Sequence, residues 1–203
     1  MFVVTGTSGS GKDELIRILR KGDVKIRMVT TAVTREARPG ERPGVTHHFL
    51  SSDEFEEWRQ AGKFLEWAEV YGRHYGTPRW EVEEPLAKGE DVLLRVDVHG
   101  ARSVKSEIED AVLIFVAPPS EDEVRRRLES RATEAWSEIE ARMGAFESEM
   151  AFRAECDCVV VNHTDGQERA AAEIRGFIES TQRVRSGVNA DISSSPSDGI
   201  QTQ

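Results

Sequence analysis

Apolar residues gather in five short runs: Met1 to Thr5 (MFVVT), Lys25 to Thr30 (KIRMVT), Asp91 to Asp97 (DVLLRVD), Ala111 to Ala117 (AVLIFVA) and Cys158 to Asn162 (CVVVN). They are rich in Val and Ile, and most lack clean polar alternation. Such runs predict strands buried on both faces of a parallel sheet. Helical spacing follows or separates them. Asp13 to Lys21 puts Leu15, Ile16 and Leu19 on one face, and Ser120 to Arg131 opens with a capping Ser followed by Glu121 and Asp122. Residues 137 to 155 and 166 to 180 complete the set. Strands alternating with helices predict an α/β layered fold.

The segment from Thr31 to about Gly89 breaks this alternation. Ser51-Ser52-Asp53-Glu54 has the form of a capping box and predicts a short helix through Trp58. Strand-like pieces follow around Phe64 to Tyr71 and Arg73 to Tyr75. The segment reads as a small α+β subdomain inserted in the larger one. Arg185 to Gln203 is rich in Ser, Asp, Gly and Gln and nearly without large apolar residues, which predicts a disordered tail over residues 184–203.

Composition narrows the class. The chain has 203 residues, 38% of them hydrophobic, and two cysteines, so one domain can bury a core without a disulfide scaffold. No apolar run approaches the roughly 20 residues needed to cross a bilayer. MFVVTGTSG has no basic segment ahead of its apolar stretch, so no secretory leader is expected, and the expected setting is cytoplasmic with no membrane partner. The formal net charge of −10 argues against coating nucleic acid. It leaves room for a phosphorylated small molecule held by a local group of arginines. Monomer and homo-oligomer both stay open.

One stretch carries explicit chemistry. Gly6-Thr7-Ser8-Gly9-Ser10-Gly11-Lys12-Asp13 lies between the first predicted strand and the first predicted helix, the context a phosphate-binding loop requires. Glycines let successive N–H groups turn toward phosphates, the helix N-terminus adds a favourable dipole, and Lys12 supplies a point charge. Asp13 stands where Ser or Thr usually helps to hold Mg²⁺. A carboxylate about 6 Å from a phosphate charge costs about 3 kcal/mol at an effective dielectric near 20. A divalent cation between them reverses the sign, so Asp13 is expected to hold the metal, directly or through water.

A second constellation begins at Thr30: TTAVTREARPGERPGVTHHFLSSDEF, then EWAEVYGRHYGTP, then LLRVDVHGA. With the phosphate loop, these motifs resemble the guanylate kinase family, which phosphorylates GMP with ATP, over nearly all of residues 1 to 180. The resemblance implies a P-loop kinase fold over residues 1–183: a five-stranded parallel core sheet, an inserted guanylate-binding subdomain (31–80) and a helical lid (125–145). It implies ATP and GMP, with dGMP beside it, as substrates and Mg²⁺ as cofactor. Gly6 through Asp13 would hold ATP, with Asn162 near the adenine. Thr31, Arg35, Arg38 and Tyr75 would hold the GMP phosphate, and Glu66 and Thr77 would read the guanine edge. Asp97 would lie near guanine and metal, and Arg131 and Arg142 would close over the transferring group.

The residue types suit that chemistry. Arginine's rigid fork pairs two phosphate oxygens at once. A carboxylate such as Glu66 accepts from both N1–H and N2–H of guanine, a donor pair that adenine lacks. Mobile arginines stabilise phosphoryl transfer, and a closed lid excludes water. Two positions depart from the pattern. His47 replaces a tyrosine at the GMP phosphate, which predicts phosphate affinity that depends on pH near 6–7. Arg95 replaces an acidic residue two before Asp97. The Lys12-Asp13 pair also occurs in ribose 1,5-bisphosphate phosphokinases, which is one alternative; a non-catalytic guanylate-kinase-like binding module is the other. Cys156, Cys158 and the scattered histidines show no metal-ligand spacing.

Overall fold

The computed structural model describes residues 1–22, 24–38, 40–70, 72–130 and 136–192. In chain order the elements are β1 (Phe2–Gly6), α1 (Lys12–Lys21), β2 (Arg27–Met28), β3 (Thr31–Val33), β4 (His47–Phe49), α2 (Ser52–Gln60), β5 (Phe64–Val70), β6 (Arg73–Pro78), α3 (Arg79–Ala87), β7 (Val92–Arg95), α4 (Val98–Glu107), β8 (Val112–Ala117), α5 (Glu121–Glu129), α6 (Trp136–Gly144), α7 (Phe146–Ala151), β9 (Cys158–Val161) and α8 (Gln167–Ile192). A 3₁₀ turn over Phe152–Glu155 links α7 to β9.

All five apolar runs become strands of one sheet, in the order β2-β7-β1-β8-β9, and every pairing is parallel. Both faces are covered, which is why the runs lack polar alternation. Val3, Leu94 and Phe115 face one core with Val98, Ala101 and Val104 of α4. Phe2, Val4, Leu93 and Ile114 face the other, against Leu15 and Leu19 of α1 and Ile174 and Ile178 of α8. Each such side chain contributes about 1.5–3 kcal/mol by leaving water. β1 lies between β7 and β8, so the chain's connections diverge on either side of its carboxyl end. In an open parallel sheet that is where ligands bind.

The inserted segment forms its own four-stranded sheet, β4-β3-β6-β5, on a small core of Ala32, Phe55 and Phe64 with Trp58. The predicted capping box is present: Glu54 N–H donates to Ser51 Oγ at 3.1 Å and Ser51 N–H to Glu54 Oε2 at 2.7 Å. The three-residue strands β3 and β4 carry no periodic signal of their own; they exist through pairing with each other and with β6.

Three expectations are corrected. The stretch 137–155 is not one helix but α6, α7 and the 3₁₀ turn, because Ile139 and Met143 fold back on Val124 and Leu128 of α5 as a separate lid core. Helices α3 and α4 were not predicted; α3 contains Pro85, and α4 starts from the cap Asp97. Helix α8 runs to Ile192, into the stretch expected to be disordered. Arg185 donates there to the Asp110 carbonyl at 3.1 Å and lies over the Phe2 ring at 5.5 Å. Residues 193–203 lie outside the described residues. Among those described, no helix is long and apolar enough to cross a membrane.

Candidate active site

The carboxyl end of β1 enters the glycine loop through Gly6. Its φ is 144°, and a Cβ there would stand 2.2 Å from the Val116 carbonyl oxygen. Gly11 takes φ 89° just before α1, with Asn162 Nδ2 2.4 Å from the place of a Cβ. No side chain fits either position. Lys12 Nζ curls across the loop and donates to the carbonyls of Gly6 (2.7 Å) and Thr7 (2.8 Å). Burial lowers its proton affinity, while Asp13 and Glu149 oppose that. The Ser8 N–H donates to Glu149 Oε2 of α7 at 2.9 Å, so a lid carboxylate rests on a loop amide.

The loop is braced from beneath. Asn162 Nδ2 donates to Ser10 O at 2.8 Å. Arg127 spans three acceptors: Glu123 Oε1 (2.9 Å), Ser10 O (3.3 Å) and Asn162 O (2.9 Å).

A cleft of about 260 Å³ runs from this loop to the inserted sheet, and Lys12, Asp13, Thr31, Glu66, Tyr75, Arg95, Asp97, Arg142 and Glu149 line it. Strands β5 and β6 set Glu66 opposite Thr77, and Thr77 Oγ1 donates to Glu66 Oε1 at 2.5 Å. Glu66 is only 8% exposed. Burial pushes its carboxyl up to about 7, against the Thr77 hydrogen bond and with help from Asp97. Helix α4 closes the space behind it: a Cβ on Gly100 would lie 2.9 Å from Glu66 Oε2.

Thr31 and His47 face each other across the β3–β4 register, Oγ1 to Nδ1 at 3.0 Å. The expected titration of His47 near pH 6–7 is corrected. Burial first, then Arg95 and Arg35, lower it to about 4, so it is neutral throughout that range and has one N–H to offer.

The donor set suits a hard cation, since Asp13 and Asp97 are oxygen ligands beside a phosphate loop. Asp97 Oδ1 accepts the Gly100 N–H at 2.7 Å as the cap of α4, and Asp13 Oδ1 accepts from Arg95 Nη1 at 2.7 Å. Among the described residues no cluster of three His, Cys, Asp or Glu forms a metal cage. A cation here would complete its shell with phosphate oxygens and water, as Mg²⁺ commonly does.

Other predicted residues lie off the cleft lining. Arg35 gives its fork to Glu41 (2.5 and 2.7 Å) and lies over Phe49, while Arg38 is exposed and its backbone N–H donates to the same carboxylate. Asn162 is 2% exposed beneath the loop, so its side chain supports the loop from inside. Arg131 lies outside the described residues. Sequence reasoning did not select Gly100, Arg127 or Glu149 as site residues. The Glu123–Arg127 spacing of four was the one available signal for a braced pair. Cys156 and Cys158 are half-buried free thiols, and burial, then Asp157 and Glu155, pushes Cys156 up to about 12.

A glycine loop with its lysine at the switch point of a parallel sheet, an inserted acceptor subdomain and a lid carrying arginine together define a P-loop kinase. The family model described as guanylate kinase matches residues 1–181. A guanylate kinase of Rubrobacter xylanophilus is 46% identical over 187 residues, covering 92% of this chain and 95% of that one. One from Symbiobacterium thermophilum is 43% identical over 189 residues, covering 92% and 89%. The crystal structure of guanylate kinase from Anaplasma phagocytophilum superposes with a TM-score of 0.70 at 30% identity, covering 90% of this chain and 85% of that one. The chain belongs to the guanylate kinase family.

Proposed function

We propose that this chain transfers the terminal phosphoryl group of ATP to GMP, giving ADP and GDP, and that it accepts dGMP in the same way. One observation carries the reading: a single cleft joins the Lys12 loop to the buried Glu66–Thr77 pair. The loop amides and Lys12 would grip the donor phosphates, and ionised Glu66 would accept N1–H and N2–H of guanine. Thr31, His47 and Tyr75 stand on the cleft side of the inserted sheet, where the GMP phosphate would meet their donors. Arg35 and Arg38 would reach it as the subdomain closes, with Glu41 holding Arg35 ready. Arg142 lines the cleft from the lid, and with Arg131 it would stabilise charge on the group in transfer.

Mg²⁺, when bound, neutralises charge on the donor phosphates, and Asp13 and Asp97 are the residues that would hold it. The reaction is mainly positioning and charge stabilisation, so the residues named need not act as nucleophiles. The substrates are free nucleotides, and we assign the activity to the cytoplasm.

The test is ADP release from Mg-ATP with GMP, dGMP, AMP, UMP or ribose 1,5-bisphosphate as acceptor, with Lys12→Ala as control. Turnover confined to the guanine nucleotides and lost in the control is expected. Turnover with ribose bisphosphate alone, or none with any acceptor, would overturn the assignment.

A further inference from the structure

Two side chains at the mouth of the phosphate loop are unusual for their positions, and the fold joins them. Asp13 sits in the first turn of α1 and Arg95 ends β7; 82 residues apart, they meet with Nη1 2.7 Å from Oδ1. Asp13 is 72% exposed and Arg95 31%, so the carboxylate stands at the cleft mouth and the guanidinium closer to its wall. Arg95 has cations on several sides. Besides burial, it helps to lower the proton affinity of Lys12, Arg20 and His47, so without Asp13 it would stand in an unfavourable field. Without Arg95, a bare carboxylate would face the donor phosphates.

We propose that Arg95 is the counter-charge of Asp13 and competes with a divalent cation for its carboxylate, so that this pair sets how strongly nucleotide binding depends on the cation. The proposal rests on the nucleotide-site reading above. With Arg95 on it, Asp13 does not repel an incoming polyphosphate. A cation that uses Asp13 must first displace the guanidinium. Arg95 is thus a positioning residue acting through Asp13. A carboxylate about 6 Å from a phosphate charge, at an effective dielectric of about 20, weakens binding about a hundredfold. The exposure of Asp13 and ordinary salt reduce this to about tenfold.

Two measurements on the full chain test the pair: calorimetry of ADP binding in EDTA, and paramagnetic resonance of Mn²⁺ binding to the protein–ADP complex. In EDTA, Arg95→Ala should weaken ADP about tenfold, while Mn²⁺ should bind that variant's ADP complex about tenfold more tightly. These shifts have opposite signs, which a purely structural role of Arg95 would not produce. Arg95→Lys should stay within about threefold of wild type on both, and in an Asp13→Ser background Arg95→Ala should no longer tighten Mn²⁺. Arg95→Ala losses on both measurements, no change on either, or tightening that persists without Asp13 would each overturn the proposal. Failure of wild type to bind ADP at all would overturn the nucleotide-site reading, and the proposal with it.

Discussion

Lowering the pH from 8 to 6 should weaken GMP binding about tenfold through one side chain. Glu66 is 8% exposed, and burial pushes its carboxyl up to about 7, Asp97 adding to the rise and the Thr77 hydrogen bond opposing it. Guanine presents two donors, so only the ionised carboxylate accepts both. The apparent dissociation constant then scales by about 1.1 at pH 8, about 2 at pH 7 and about 11 at pH 6. The GMP phosphate has its own ionisation near pH 6, so Glu66→Gln is the reference: weaker binding that keeps the phosphate limb and loses the limb near 7. Calorimetry in buffers of different ionisation enthalpy should show about half a proton released from the protein per GMP at pH 7. The same group affects stability. Its folded pKa of about 7 lies above the ordinary 4.5, so between those values the native state binds more protons than the unfolded chain. Stability therefore falls as pH rises across that window, by about 3 kcal/mol in all. Glu66→Gln should raise Tm at pH 8 and leave it unchanged at pH 4. A flat GMP affinity between pH 8 and 6, or the same pH profile in Glu66→Gln, would refute this reasoning.

Three further outcomes are expected. Gly100→Ala places a Cβ 2.9 Å from both Glu66 Oε2 and Val96 Cβ, so steady-state kinetics should show KM for GMP rising about tenfold with kcat little changed; unaltered KM would mean that Glu66 does not need its observed position. Arg127→Ala removes donors from the Ser10 and Asn162 carbonyls and leaves buried Glu123 to Arg126 alone. It should cost about 2–3 kcal/mol in urea unfolding and raise KM for ATP, and Arg127→Lys should not recover the loss, because one ammonium cannot span three acceptors. Glu149→Ala frees the Ser8 amide and removes a negative charge from beside Lys12. ADP should bind that variant several-fold more tightly in calorimetry at low salt; weaker binding would show that the carboxylate is needed to hold the loop in shape.

What the sequence determined by itself is local. The five apolar runs announced a parallel sheet because a strand buried on both faces must be apolar throughout. The glycine loop was legible because its backbone angles exclude side chains at Gly6 and Gly11, and Ser51 with Glu54 marked a helix start through contacts three residues apart. Glu66, Thr77, Lys12 and Arg142 were chosen for chemistry that their types allow, and the fold brings them to one cleft. Other properties arise only where distant segments meet. The three-residue strands β3 and β4 exist by pairing, and α4 begins where Asp97 finds the Gly100 amide. The Glu66 and His47 carboxyl and imidazole have shifted proton affinities because burial and neighbouring charges act on them, and residue type carries no record of either. The Asp13–Arg95 bridge, the Arg127 brace and the Glu149–Ser8 contact join residues or elements that periodicity cannot relate. Local pattern fixes backbone geometry, because its causes lie within a few residues; desolvation and charge pairing depend on which segments return to the same place, and only the tertiary structure decides that.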